Sequence, residues 1–191
     1  MFEEEFRPFG KYIKENYKDD LIGLEIGVSS GGNALKLLNE LPNLNMLYLV
    51  DPFEEYLDER ILRSYISIKP TYLLFKKNLL KSPLKDRIKF IKKKSLECLN
   101  EIQDDLDFIY IDGNHSYDVV NEEIKQYYKK IKVGGVFGGD DYNFSRFPGV
   151  TKAVDEFVKE HNLKLYTESY EYNTSKIPSG IGINYNWWVI K

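Results

Sequence analysis

Two stretches of the chain carry acids that could do chemistry: YIDGNHSYD, from Tyr110 to Asp118, which also holds a histidine, and GGVFGGDDY, from Gly134 to Tyr142. Asp112, Asp140 and Asp141 repel one another if they meet without a cation. Ligation by oxygen alone suits magnesium, manganese or calcium better than zinc. An imidazole titrates near neutral pH, so His115, in the first stretch, can take a proton from a hydroxyl. A metal that lowers the pKa of that hydroxyl, beside such a base, would turn an alcohol into a nucleophile. Tyr142, Phe144, Arg146 and Phe147 follow at once and could form an aromatic wall for an acceptor ring. The other histidine, His161 in VKEHNLK, ends an amphipathic pattern and reads as a surface or capping residue.

A third stretch, LEIGVSSGGNALKLL from Leu24 to Leu38, contains the letters G-x-S-x-G of a hydrolase nucleophile elbow, with Ser29 as the nucleophile. It equally describes a glycine loop joining a strand to a helix. An elbow follows strands that carry its oxyanion loop, and only about twenty residues precede Leu24, too few for them. A cofactor loop fits better, because glycines admit a ligand to the backbone and a helix N-terminus offers unpaired N–H groups. Asp51 ends the next apolar run about twenty residues later, where an acid accepts the ribose hydroxyls of a nucleotide-type cofactor. The loop Glu25-x-Gly27-x-x-x-Gly31-Gly32 is looser than the G-x-G-x-x-G of a pyrophosphate site, which weakens the dinucleotide option.

These residues need elements to bring them together. LIGLEIG (Leu21–Gly27), MLYLVD (Met46–Asp51), RIKFI (Arg87–Ile91), LDFIYID (Leu106–Asp112) and GGVFGGD (Gly134–Asp140) read as strands. Ala34, Leu37, Leu38 and Leu41 lie on one helix face, as do Val120, Ile124, Tyr127, Tyr128 and Ile131, and then Val150, Ala153, Val154, Phe157 and Val158. LKLYTESYEY and IGINYNWWVI read as two late strands. Between Glu54 and Pro83, Leu57, Ile61 and Tyr65 share a helical face, Pro70 breaks the pattern, and Tyr72 to Leu80 starts a second helix. The alternation predicts an α/β, Rossmann-like, doubly wound and mostly parallel seven-stranded sheet with a C-terminal antiparallel hairpin, in a single domain over residues 1–191. In such a sheet the parallel strands open on one edge, where Gly27, Asp51, Asp112, His115, Asp140 and Asp141 can converge.

A net charge of -3 argues against a chain that mainly coats nucleic acid or an anionic membrane. The basic tract from Lys76 to Lys94 reads as a solvated face, with an RNA contact as the competing reading. Cys98 is the one cysteine, so no internal disulfide or multi-cysteine zinc site can form. No basic leader and no apolar run of spanning length is visible, and a cytoplasmic location is expected.

With these motifs the chain resembles the class I S-adenosylmethionine-dependent methyltransferases, and among them the branch of macrocin- and mycinamicin-type sugar O-methyltransferases and cephalosporin hydroxylase-like proteins. The stretches that carry the resemblance are LEIGVSSGGNA, LVDPF, RIKFIKKKSLE, FIYIDGNHSYDVV, KVGGVFGGDDY and GVTKAVDEF, from about Leu21 to Phe157. The resemblance implies S-adenosylmethionine at Glu25, Gly27, Ser29, Gly31, Asn33, Asp51, Ser95 and Asp112. It implies magnesium or manganese on Asp112, Asp140 and Asp141, with Asp112 and His115 catalytic and His115 the base. Asn114 stands where the family often has Asp. The acceptor expected is a hydroxyl of a sugar or glycan-like small molecule, near Tyr142, Phe144 and Arg146. A nucleic-acid or membrane partner is not expected, and a homo-oligomer is left open. The alternatives are an RNA methyltransferase and a cofactor-binding protein without catalysis.

Overall fold

The apolar runs become strands of one sheet in a computed structural model that describes residues 6–54, 68–172 and 182–191. Five of them run parallel: β1 (Leu21–Ile26), β2 (Leu44–Val50), β3 (Ile88–Ile91), β4 (Leu106–Ile111) and β5 (Ile131–Gly139). Two late strands, β6 (Tyr166–Tyr172) and β7 (Gly182–Ile190), pair antiparallel with each other, and β7 also runs antiparallel beside β5. The sheet order is β3-β2-β1-β4-β5-β7-β6. The chain winds outward from β1 through β2 to β3, then returns to β4 on the other side of β1. That reversal opens a crevice at the carboxyl ends of β1 and β4, the place where open α/β sheets receive ligands.

Helices cover both faces. α1 (Pro8–Asn16), α2 (Gly32–Glu40) and α3 (Ile68–Phe75) bury Phe9, Leu37, Leu38 and Phe75 against one side of the sheet. α4 (Tyr117–Tyr127) and α5 (Pro148–Glu160) bury Ile124, Tyr127, Val154 and Phe157 against the other. β4 is buried along its whole length, as befits a central parallel strand, and its one acid, Asp107, accepts the Ile22 N–H and pairs with Lys132. Trp187 and Trp188 point to opposite faces, as neighbours in a strand must, and both are buried because both faces are covered.

Several boundaries differ from expectation. Ile131 belongs to β5 rather than to the α4 face: a short 3-10 turn, Tyr128–Lys130, ends the helix, and β5 starts early through a register shift around Gly134. Pro70 lies inside α3 rather than before it, which the first turn tolerates because its N–H has no helical partner there. After α3 the chain continues as a π-helical turn, Lys76–Leu80, so the helix expected over Tyr72–Leu80 exists in two pieces. The face of Leu57, Ile61 and Tyr65 lies outside the described residues. α1 was not anticipated. Pro8 occupies its first turn, and Phe9 and Ile13, one turn apart, are both buried. No helix among the described residues is long and apolar enough to cross a membrane.

Candidate active site

The crevice begins at the loop after β1. Gly27 has φ of 83°, and a Cβ placed on it would stand 1.9 Å from the Asp112 carbonyl oxygen, so glycine is what lets the ends of β1 and β4 close together. Ser29 adopts φ of 50° and is exposed at the loop tip. Asp51, just past β2, holds this loop: its Oδ2 accepts the N–H of Val28 at 2.9 Å and of Ser29 at 3.0 Å, and its Oδ1 accepts the N–H of Phe53 at 2.7 Å. The acid expected to meet a ribose therefore also shapes the loop. Gly31 caps α2 without a side-chain hydrogen bond, so the first turn of α2 presents backbone N–H groups beside the loop. Asn33, in that turn, and Glu25, within β1, are both buried.

Ser95, after β3, is buried, and its hydroxyl donates to Glu123 of α4. Burial pushes the Glu123 carboxyl up to about 7, against the pull of that hydrogen bond and of nearby His115. Cys98 lies beside them, its thiol raised by burial and directed at the Ser95 carbonyl, which makes it a packing residue. Glu123 was not anticipated. Its only signal was an acid one position from Ile124, on the apolar face of α4.

At the ends of β4 and β5 the adjacent acids part company. Asp140 is 5% exposed and turns inward, where its Oδ2 accepts from Arg7 Nη1 at 3.0 Å and from the Tyr170 hydroxyl at 2.6 Å. Its Oδ1 accepts from Asn186 Nδ2 at 3.0 Å. Asp141, with φ of 61°, turns the other way: its Oδ2 lies 2.9 Å from His115 Nε2, and its Oδ1 accepts from Asn184 Nδ2 at 2.9 Å. Asp112 contacts Arg7 Nη1 at 2.6 Å, and its own pKa is raised by burial and by Asp140 and Asp141 while Arg7 pulls it down. Among the described residues, the side chains that bring ligand atoms together, all within 4.8 Å of one another, are Asp112, His115 and Asp141. Together with Asp140, Val150 and Trp187 they line a cavity of about 10 Å³, room for about one water-sized body. The expected set of Asp112, Asp140 and Asp141 thus meets only in part: His115 stands where Asp140 was placed.

His115 is held on two sides. Its ring stacks on Phe147 with centroids 3.7 Å apart and planes 10° apart, while Asp141 fixes Nε2. Gly149 lets the start of α5 approach this loop, since a Cβ there would stand 2.8 Å from the His115 carbonyl oxygen. Phe147 packs in turn on Phe144, and Phe144 borders a cleft of about 440 Å³ with Thr151, Asp155 and Glu156. Of the other expected acceptor residues, Tyr142 donates its hydroxyl to Asp155, and Arg146 is exposed with its guanidinium 5.9 Å from the Phe144 ring.

Most lysines of the basic tract are exposed, and several of its members have partners. Arg87 donates to the carbonyls of Leu38, Leu41 and Leu44 around the C-terminus of α2, Lys93 pairs with Glu101, and Lys92 and Lys76 lie over Tyr72. His161 caps α5 through its backbone, as expected.

Residues 24–142 match a family model described as a methyltransferase domain. An uncharacterised protein of Acanthamoeba polyphaga mimivirus is 28% identical over 91% of this chain and 88% of its own. Among solved structures, precorrin-6y C5,15-methyltransferase from Geobacter metallireducens superposes with a TM-score of 0.67 at 19% identity, over 96% of this chain and 85% of that one. An O-methyltransferase from Bacillus cereus, solved with S-adenosylhomocysteine, gives 0.64 at 17% identity, over 98% and 83%. The O-methyltransferase of tomaymycin synthesis from Streptomyces achromogenes, solved with S-adenosylmethionine, gives 0.64 at 14%, over 96% and 78%.

Proposed function

The chain belongs to the methyltransferase domain family, and from that premise we propose that it is an S-adenosylmethionine-dependent O-methyltransferase acting on a hydroxyl of a sugar or glycan-like small molecule, as its resemblance to the macrocin-type branch implies. The observation that carries the O-methyl reading is the imidazole of His115, clamped between Phe147 and Asp141 at the carboxyl edge of the sheet. The Gly27 loop, the uncapped start of α2, Asp51 and Ser95 line the edge where the cofactor fits. When bound, it supplies a methyl group made electrophilic by the sulfonium. His115 takes the hydroxyl proton as the acceptor oxygen gains the methyl group, and the Asp141 carboxylate favours the resulting imidazolium. Phe144 and the cleft beside it offer an apolar face bordered by Lys152, Asp155 and Glu156, suited to a sugar ring and its hydroxyls.

A second reading has an observation of its own. The grouping of Asp112, His115 and Asp141 around a small cavity suits a divalent ion, with His115 then a ligand rather than the base. An ion there would lower the pKa of the acceptor hydroxyl.

Two measurements test the function. Calorimetry should detect S-adenosylhomocysteine binding, and its absence at millimolar ligand would overturn the cofactor assignment. A screen of nucleotide sugars and glycans should then find methyl transfer that falls about 100-fold in His115→Ala while cofactor affinity holds. Turnover that survives a chelator favours the base reading, and loss of turnover with intact cofactor binding favours the metal.

A further inference from the structure

We infer that Arg7 is the resident cation of the Asp112–Asp140 pair, so that the N-terminal segment supplies a residue of the active site and Asp140 is withdrawn from any metal site. Nη1 of Arg7 stands 2.6 Å from Asp112 Oδ2, 2.8 Å from the Tyr110 hydroxyl and 3.0 Å from Asp140 Oδ2. One charged nitrogen thus fills the point between two carboxylates where a bridging ion would otherwise sit. The oxygens around it would have to contract by up to about 0.7 Å to reach calcium distances and by roughly 0.5–1 Å to reach magnesium distances. A guanidinium keeps its charge at every physiological pH, so this cation does not exchange with solvent.

The surroundings are built for Arg7 rather than for an ion. Its side chain is 9% exposed and Asp140's is 4%. Tyr110 and Tyr170 set aromatic rings near the guanidinium carbon, at 5.6 and 5.7 Å from their centroids. The remaining acceptor capacity of Asp140 goes to Tyr170 and Asn186. Asn186, fully buried, also donates to the Tyr110 hydroxyl and accepts the N–H of Phe9, which ties the start of α1 to the same cluster. The Asp141 carboxylate faces His115 instead and meets this cluster through Asn184, which donates both to it and to the Tyr170 hydroxyl. Arg7 is therefore a positioning residue: it fixes which way Asp112 points and neutralises Asp140, leaving Asp112, His115 and Asp141 to bring ligand atoms together.

The test uses the full chain and manganese alone, so its outcome is independent of whether methyl transfer is found. Manganese binding is read by electron paramagnetic resonance, and manganese-induced shifts in melting temperature are read by circular dichroism. Asp140→Asn should leave the manganese affinity of the parent within about two-fold, including the case where the parent binds none. Arg7→Met should acquire a manganese site at least ten-fold tighter than any in the parent, and adding Asp140→Asn should remove it. Should Arg7→Met be unstable, manganese should raise its melting temperature, and that rise should vanish in the double variant. A ten-fold or greater loss of manganese affinity in Asp140→Asn alone would overturn the inference. So would an Arg7→Met protein that gains no site, or one that stays unfolded with manganese present.

Discussion

Glu123 sits among apolar side chains, and burial pushes its carboxyl from the ordinary 4.5 up to about 7. Between those two values the native chain keeps a proton that the unfolded chain has released. Stability therefore falls as pH rises through that window and levels off above it. The gap corresponds to about 3 kcal/mol. Glu123→Gln keeps the size and neutrality of the protonated acid, so urea unfolding at pH 5 and pH 8 should show that much less difference in the variant. An unchanged difference would assign the slope to other acids. Asp51 supports a second prediction at this scale. Asp51→Ala strips the acceptor from three backbone N–H groups, those of Val28, Ser29 and Phe53. Hydrogen bonds to a carboxylate are stronger than neutral ones. The loop should lose its shape and S-adenosylhomocysteine its affinity, by ten-fold or more in calorimetry, with Asp51→Asn intermediate. Equal affinity in all three proteins would make Asp51 a turn residue only.

The decisive contacts between elements are those that bring the β1 loop, the β4 loop and the start of α5 together. Gly27 and Gly149 are the points of closest approach. Gly27→Ala adds strain from a positive φ to a collision with backbone at Asp112, which cannot rotate away as a side chain would. It should cost roughly 3–5 kcal/mol. For a chain of this size that is a fall of roughly 10 °C in melting temperature. A melting curve matching the parent's would mean that the strands part at little cost. Phe147 works between elements too, carrying the position of α5 to the imidazole of His115.

At the scale of the whole molecule, α1 closes one face of the sheet and delivers Arg7 to its carboxyl edge. Phe9 lies against Phe108 and Tyr110, Tyr12 against Trp188, and the Tyr17 hydroxyl donates to the Gly134 carbonyl. A chain beginning at Lys18 would expose that apolar surface and leave Asp112 and Asp140 without Arg7, a buried charge pair broken from one side. It should unfold at markedly lower urea and associate in gel filtration. A midpoint equal to that of the full chain would show that α1 merely rests on the sheet.

The sequence by itself determined the strands, their alternation with helices and the gathering of Gly27, Asp51, Asp112, His115 and Asp141 on one edge. Apolar periodicity and the glycines and acids that end each run are local signals, and a parallel sheet turns every strand end the same way. Tertiary structure alone decided how Asp140 and Asp141 divide. Both lie just past β5, where Asp141 takes φ of 61°, and the partners each carboxylate meets come from Tyr170, Asn184 and Asn186 of the closing hairpin. It also decided the place of Arg7, which meets Asp112 across 105 positions of sequence. No pattern of period 2 or 3.6 records such a pairing, because it is set by where α1 docks and by the need of the buried Asp140 and the partly buried Asp112 for a positive charge.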